Sequence, residues 1–289
     1  MKRVGILMSL PEKDPEIPAR QVAIRQGLMR KDVAFYSRYG GGDFPYDSLA
    51  QELVDLDPDV FFATCGPSFG ALQAKTTKPI VFAAMVKPGG PSPFVGTNAT
   101  GYFSYDYGIC EKWLKYLMEM NPKITQVAVI ADQDRRVGLG QLLEIQSAAA
   151  RLGIKKAIPI NATDTDAAIT SAVQAFAKEG NAGLVVPTST KTATRRDLII
   201  NLAANNQLPA IYSNRVYINS GGLFCYGAKT LDVYRNAAGY VDRILNGEAA
   251  ERLPMQVNKV FELVINTNTA KALGVTVPPS LLGSADEVI

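Results

Sequence analysis

The sequence predicts an α/β protein of two Rossmann-like, doubly wound lobes joined by a multi-strand hinge. Three observations carry that expectation. Short apolar runs alternate with longer helical patterns almost from end to end. Those runs are hydrophobic on both faces, which suits parallel strands covered by helices on each side. The alternation restarts after Asn98-Ala-Thr-Gly101, so two successive β-α-β-α blocks follow one another without a literal repeat.

In the first block, 4–9 is a buried strand and 19–29 a helix, with Val22, Ile24, Leu28 and Met29 among its apolar positions and Pro18 near its start. A strand at 33–36 follows, then a helix over 46–56 that ends before Asp57-Pro58, and strands at 60–64 and 80–84. In the second block, a helix over 107–120 stops at Asn121-Pro122 and a strand occupies 127–131. A helix over 139–152 is closed by Gly153. The alternation continues through 158–160, 167–178, 183–187, 194–205 and 210–212. The tail departs from it. A strand lies within the glycines of Gly221-Gly-Leu-Phe-Cys-Tyr-Gly227, and Leu231, Tyr234, Ala238, Val241 and Leu245 form an apolar stripe stopped by Asn246-Gly247. A strand over 260–265 and a short helix over 269–273 complete it. Such a tail implies that the chain passes between the lobes more than once. The expected division is 1–102 with about 228–253 in one lobe, and 103–227 with about 254–289 in the other.

The 289 residues carry a net charge of only +3, and their lysines and arginines are scattered rather than massed on one stripe, which argues against a nucleic-acid partner. No apolar run approaches the ~18 residues of a membrane span. Met1-Lys2-Arg3 leads at once into the first strand, without the pattern of an export signal. A cytoplasmic protein and an exported one with its leader removed both look like this. Cys65, Cys110 and Cys225 lack CxxC spacing and read as small buried hydrophobes.

Much chemistry is excluded by composition. The chain has no histidine, which removes the commonest general base, the commonest zinc ligand and every Ser-His or Cys-His pair. Three dispersed cysteines offer no paired metal ligands. Neither phosphate-cradling glycine fingerprint occurs, and Gly40-Gly-Gly-Asp43 reads as a turn. No catalytic residue, metal or cofactor is expected. Asp132 and Asp134 lie at a strand end, where a D-x-D pattern equally suits helix capping.

The strand-end loops are more informative, because doubly wound folds bind ligands beyond the carboxyl ends of their strands. They read Ser9-Leu-Pro11, Cys65-Gly66-Pro67-Ser68, Met85-Val-Lys87, Asp132-Gln133, Thr188-Ser189-Thr190 and Tyr212-Ser-Asn214. Hydroxyls, amides and glycine-exposed backbone N–H groups suit the polar head of a small solute. Several of the same residues, Ser68, Ser189 and Thr190 among them, also suit helix caps. Tyr105, Tyr212 and Tyr226 suit an aromatic clamp or simple packing at the lobe surface. Arg135 and Arg195 suit either holding a carboxylate or a solvated surface role, the latter being the better reading for either arginine alone.

The stretch from Phe261-Glu-Leu-Val-Ile-Asn through Ala270-Lys-Ala-Leu-Gly-Val-Thr-Val-Pro-Pro-Ser-Leu-Leu282, closing with Ala285-Asp-Glu-Val-Ile289, resembles the end of a family of bacterial ABC-transporter substrate-binding proteins. That family includes binding proteins for tryptophan and other aromatic amino acids. Gly221-Gly-Leu with Tyr226-Gly227, Ala237-Ala-Gly-Tyr-Val-Asp-Arg-Ile-Leu245 and Val95-Gly-Thr-Asn-Ala-Thr-Gly101 are also similar to it. The resemblance implies a type I periplasmic-binding-protein fold that clamps a solute between its lobes. It implies a monomer, a membrane permease as partner, an export signal ahead of this sequence, and a periplasmic or lipid-anchored location.

By position it also implies ligand contacts at Ser9, Cys65, Gly66, Pro67, Ser68, Met85, Thr188, Ser189, Tyr212 and Asn214, with Tyr105 and Tyr226 near the crossovers. Met85-Val-Lys-Pro88 and Asp132-Gln-Asp-Arg-Arg136 depart from the family's pattern at the pocket, so the ligand need not be the usual one. The alternative is a doubly wound cytoplasmic enzyme such as a cysteine-based racemase using Cys65 and Cys225. A sensor domain would share the fold but needs an output segment.

Overall fold

The computed structural model describes residues 1–41, 45–89 and 97–289. These form two compact units, Met1–Asp106 with Lys229–Lys259 and Tyr107–Ala228 with Val260–Ile289. In chain order the elements are β1 (Lys2–Met8), α1 (Ile17–Gly27), β2 (Val33–Tyr39), α2 (Tyr46–Asp55), β3 (Val60–Ala63), α3 (Gly66–Gln73), β4 (Ile80–Val86) and β5 (Ala99–Tyr105). There follow α4 (Ile109–Met120), β6 (Gln126–Ala131), α5 (Arg136–Arg151), β7 (Lys156–Asn161), α6 (Asp166–Ala177), β8 (Ala182–Val186), α7 (Thr190–Thr194) and α8 (Arg196–Asn205). Last come β9 (Ala210–Tyr212), α9 (Val216–Asn219), β10 (Phe224–Ala228), α10 (Thr230–Leu245), β11 (Gln256–Val257), β12 (Phe261–Ile265), α11 (Thr267–Ala272), α12 (Pro279–Ser284) and β13 (Glu287–Val288).

The first unit holds a parallel sheet in the order β11-β5-β4-β3-β1-β2. Its central strands are buried on both faces, and β3 is apolar throughout as Val-Phe-Phe-Ala. Helix α10 supplies the stripe Val233, Tyr234, Ala237, Ala238 and Val241, all buried, and packs on α1, β4 and β5. Helix α1 turns a different face inward from the one its apolar residues suggest. Ile17, Arg20, Ala23 and Ile24 are buried, whereas Val22 is 51% exposed. Met29 lies beyond the helix end at Gly27, so the predicted 19–29 starts and stops two residues late. Gly101 is likewise no turn between blocks. It lies inside β5 at φ +148°, where a Cβ would come 2.0 Å from the Phe82 carbonyl oxygen, so only glycine permits β5 to pair with β4 there.

The second unit holds a sheet in the order β13-β12-β10-β9-β8-β6-β7, parallel except where β12 runs antiparallel to β10. Helix α4 buries Ile109, Cys110, Trp113, Leu114, Leu117 and Met120, spacings of three and four that give one continuous apolar face. The predicted helix at 194–205 is α8, which starts at Arg196, and the short helix α7 lies just before it. Helix α5 begins at Arg136 rather than 139, leaving Leu139 43% exposed. All three cysteines are buried free thiols. No described helix is long and apolar enough to cross a membrane. Gly42, Asp43, Val95 and Gly96, named above, lie outside the described residues.

Candidate functional site

In the second unit, β6, β8 and β9 are neighbours and end together, so the residues that follow them share one edge of the sheet. Asp132 follows β6, Thr188 and Ser189 follow β8, and Ser213 follows β9. Two of these carry buried polar atoms with no hydrogen-bond partner, Asp132 Oδ1 and Ser213 Oγ. Asp132 is 8% exposed and Ser213 1%. Two strand spacings separate β6 from β9, roughly 10 Å. An unsatisfied group of this kind costs on the order of 1–3 kcal/mol unless something else meets it. Burial raises the Asp132 carboxyl above its ordinary range, opposed by the charge of Arg135. Asp134, two residues on, is the contrast. It accepts from Thr163 Oγ1 at 2.6 Å and Asn161 Nδ2 at 3.2 Å, bonds that hold it below the usual range.

Glycines press on both orphaned residues. A Cβ on Gly138 would come 1.9 Å from the Asp132 carbonyl oxygen, and one on Gly227 would come 1.8 Å from that of Ser213. The two loops are therefore braced from behind by α5 and β10.

The other predicted residues of this unit divide. The Thr188 carbonyl accepts from Gln141 Nε2 at 3.3 Å, which fixes the loop while leaving the Thr188 side chain half-buried. Ser189 caps α7, accepting from Thr192 N–H at 2.9 Å. Asn214 Oδ1 accepts from Val216 N–H at 3.1 Å, an Asx turn into α9. The Tyr212 ring stacks on Tyr217 at 4.7 Å inside the apolar core and is 1% exposed. Tyr226 sits against α4, where its carbonyl accepts from Trp113 Nε1 at 2.7 Å and its hydroxyl from Lys112 Nζ at 3.1 Å. Its ring lies between Tyr116 and Phe261. Arg195 is tied to Asp166 at 2.7 Å.

In the first unit, β1 and β3 are neighbours, and Ser9 and Cys65 lie just beyond their ends. Tyr46, the first residue of α2, joins them. Its hydroxyl donates to the Ser9 carbonyl at 3.3 Å, and the Cys65 thiol donates to the Tyr46 oxygen at 3.7 Å. Ser9 Oγ accepts from the guanidinium of Arg20 at 3.2 Å. Cys65 and Ser68 form a reciprocal cap on α3. The Ser68 hydroxyl accepts from the N–H of Thr64 and of Cys65 and donates to the Cys65 carbonyl. Ser68 is fully buried and its hydroxyl is engaged in the cap. Gly66 and Pro67 open α3, and nothing lies within 4 Å of a Cβ placed on Gly66. The Met85 side chain packs into the core with Leu7, Phe82 and Phe103. Tyr105 closes β5 and is 2% exposed.

Arg20 was not visible among the strand-end loops because it belongs to a helix. Its signal is that a charged residue shares the i, i+3, i+4 face with buried Ile17, Ala23 and Ile24. Among the described residues no group of three His, Cys, Asp or Glu side chains is placed to hold a metal.

Comparison with known proteins gives the wider setting. The profile of a family described as ABC transporter substrate binding protein matches residues 46–289. A tyrosine-binding protein of Clostridioides difficile strain R20291 is 23% identical over 242 residues, 78% of this chain and 66% of that protein, slightly under two thirds of its length. The crystal structure of a conserved domain protein from Vibrio cholerae O1 biovar El Tor superposes with a TM-score of 0.85 at 25% identity, over 100% of this chain and 99% of that one. The structure of an ABC domain from Streptococcus pneumoniae in complex with L-Trp gives a TM-score of 0.87 at 19% identity, again over 100% and 99%. The likeness extends over both units, and the fold is that of type I periplasmic binding proteins.

Proposed function

We propose that this chain, which belongs to the ABC transporter substrate binding protein family, captures an α-amino acid with an aromatic side chain and delivers it to a membrane permease. The family binds small solutes, works with an ABC permease and is extracytoplasmic. We propose further that it is a periplasmic or lipid-anchored monomer without catalytic activity.

The observation that carries the ligand class is the buried, unpartnered Oδ1 of Asp132 at the strand-end edge of the second unit. A buried carboxylate oxygen with no hydrogen-bond partner, acted on by Arg135 and Lys191 only through their charge, suits an ammonium group that can donate to it. Ser213 Oγ, also unpartnered, adds a neutral acceptor and donor on the same edge. A sugar would use these atoms less well, since it offers no charge to Asp132. The aromatic body rests on the relatives, one described as tyrosine-binding and one solved with L-Trp.

The racemase alternative has little chemical support. A racemase of that kind needs an accessible thiolate. Cys225 is fully buried in β10, and burial pushes its thiol well above the ordinary range. Cys65 is engaged in the cap of α3.

Native mass spectrometry of the protein purified without added solute tests the ligand class. Retained L-tyrosine or L-tryptophan, or their one-to-one uptake on addition, is expected. Selective retention of a sugar or a polyamine would contradict it.

A further inference from the structure

Arg20 is 8% exposed and makes no ion pair among the described residues. One guanidinium nitrogen donates to Ser9 Oγ at 3.2 Å and to Tyr234 Oη at 3.3 Å, and the group lies 5.6 Å from the Tyr234 ring centroid. All of these partners are neutral. Nε is buried and has no partner. The residue stands in the first turn of α1, the positive end of the helix dipole, which disfavours a cation. A guanidinium can shed neither its charge nor its five donors. A buried arginine at the positive helix end, whose hydrogen-bond partners among the described residues are all neutral, is a site prepared for an anion.

Its surroundings say where that anion would enter. Ser9 directly follows β1, on the carboxyl edge where Cys65 follows β3. Tyr46 ties these two residues together, so the edge next to Arg20 is fixed. A planar guanidinium whose Nε and amino nitrogens point the same way matches a carboxylate fork to fork.

We infer that Arg20, oriented by Ser9 and Tyr234, is the carboxylate anchor of the solute site on the first unit's strand-end edge. This rests on the reading of the protein as an amino-acid binder, and it is separable from the aromatic part of that reading. The two hydroxyls engage one guanidinium nitrogen, and the buried Nε remains without a protein partner.

The test is a titration of paired ligands that differ only in the carboxylate, L-tyrosine against L-tyrosinamide, by the parent protein, Arg20→Met and Arg20→Lys. The parent is expected to prefer the acid. Arg20→Met should weaken L-tyrosine by about 10- to 100-fold and the amide by less than about 3-fold, while Arg20→Lys keeps part of the preference. A purely structural arginine would lower both affinities by the same factor, and that result, or an unchanged affinity for L-tyrosine, overturns the inference. Should Arg20→Met fail to fold, the parent labelled with ¹⁵N-arginine gives the answer. The Arg20 Nε–H resonance should move with L-tyrosine and stay in place with tyramine, and a resonance that ignores both contradicts the assignment. Should the parent bind no aromatic amino acid, the ligand class fails alone. Acid and amide pairs of aliphatic amino acids then decide Arg20 by the same ratio, and the absence of any acid preference there counts against it.

Discussion

Gly227 lies so close to Ser213 that a Cβ on the glycine would come 1.8 Å from the serine's carbonyl oxygen. The contact couples two neighbouring strands, β9 and β10, at the end where Ser213 leaves the sheet. It sets how far the Ser213 hydroxyl sits from the edge. Replacement by alanine cannot be absorbed by a side chain, because the obstacle is backbone. Gly227→Ala is expected to lower stability by about 2–3 kcal/mol, as overpacking does. Gly70→Ala, in α3 with nothing within 4 Å, should raise it by up to ~1 kcal/mol, the difference in helix propensity. Urea unfolding of both variants checks the pair, and equal effects would show that the close approach is not structural.

Ser68→Ala separates capping from ligand contact. The variant leaves the N–H groups of Thr64 and Cys65 without their side-chain acceptor in a buried position. A loss of about 1–2 kcal/mol is expected by chemical denaturation, with solute affinity in the folded fraction changed by less than about 3-fold. A stable variant with much weaker binding would return Ser68 to the ligand contacts.

Asp132 gives a pH signature. Burial raises its folded-state value above the ordinary 3.8, so between the two values the folded chain holds more protons than the unfolded one. Stability therefore falls as pH rises through that window. The penalty is absent below the ordinary value and complete above the raised one. Asp132→Asn removes it. The variant should be more stable than the parent at pH 7 by about 1 kcal/mol, with the gap closing toward pH 4, and should bind an amino acid about 30-fold or more weakly. Unfolding curves at several pH values with titration at pH 7 measure both. A variant that is less stable at neutral pH would show that the carboxylate serves the fold.

The strands were legible in the sequence because parallel strands buried on both faces are continuous apolar runs, as in β3 and β6. Residues that work by geometry were harder to see. Gly101 reads as punctuation until β5 is laid against β4, and α1 conceals its inward face because Val22 is exposed while Arg20 is buried. The polar loops at the strand ends are visible in the sequence, but composition does not tell which of their hydroxyls fill caps. Ser68 and Ser189 fill theirs, and Ser213 does not. Tyr212 resembles a ligand clamp only until its stack on Tyr217 is seen.

Calorimetric titration of the ligand-stripped protein against a graded panel tests the central claim most directly. The panel holds L-tyrosine, L-tryptophan, their deaminated acids, tyramine, a sugar and a polyamine. One-to-one binding of L-tyrosine or L-tryptophan is expected, with a dissociation constant of about 1 μM, near −8 kcal/mol. Each analogue lacking the ammonium or the carboxylate should bind at least about 10-fold more weakly. Tight binding of the sugar or the polyamine, with none of the aromatic amino acids, would contradict the account.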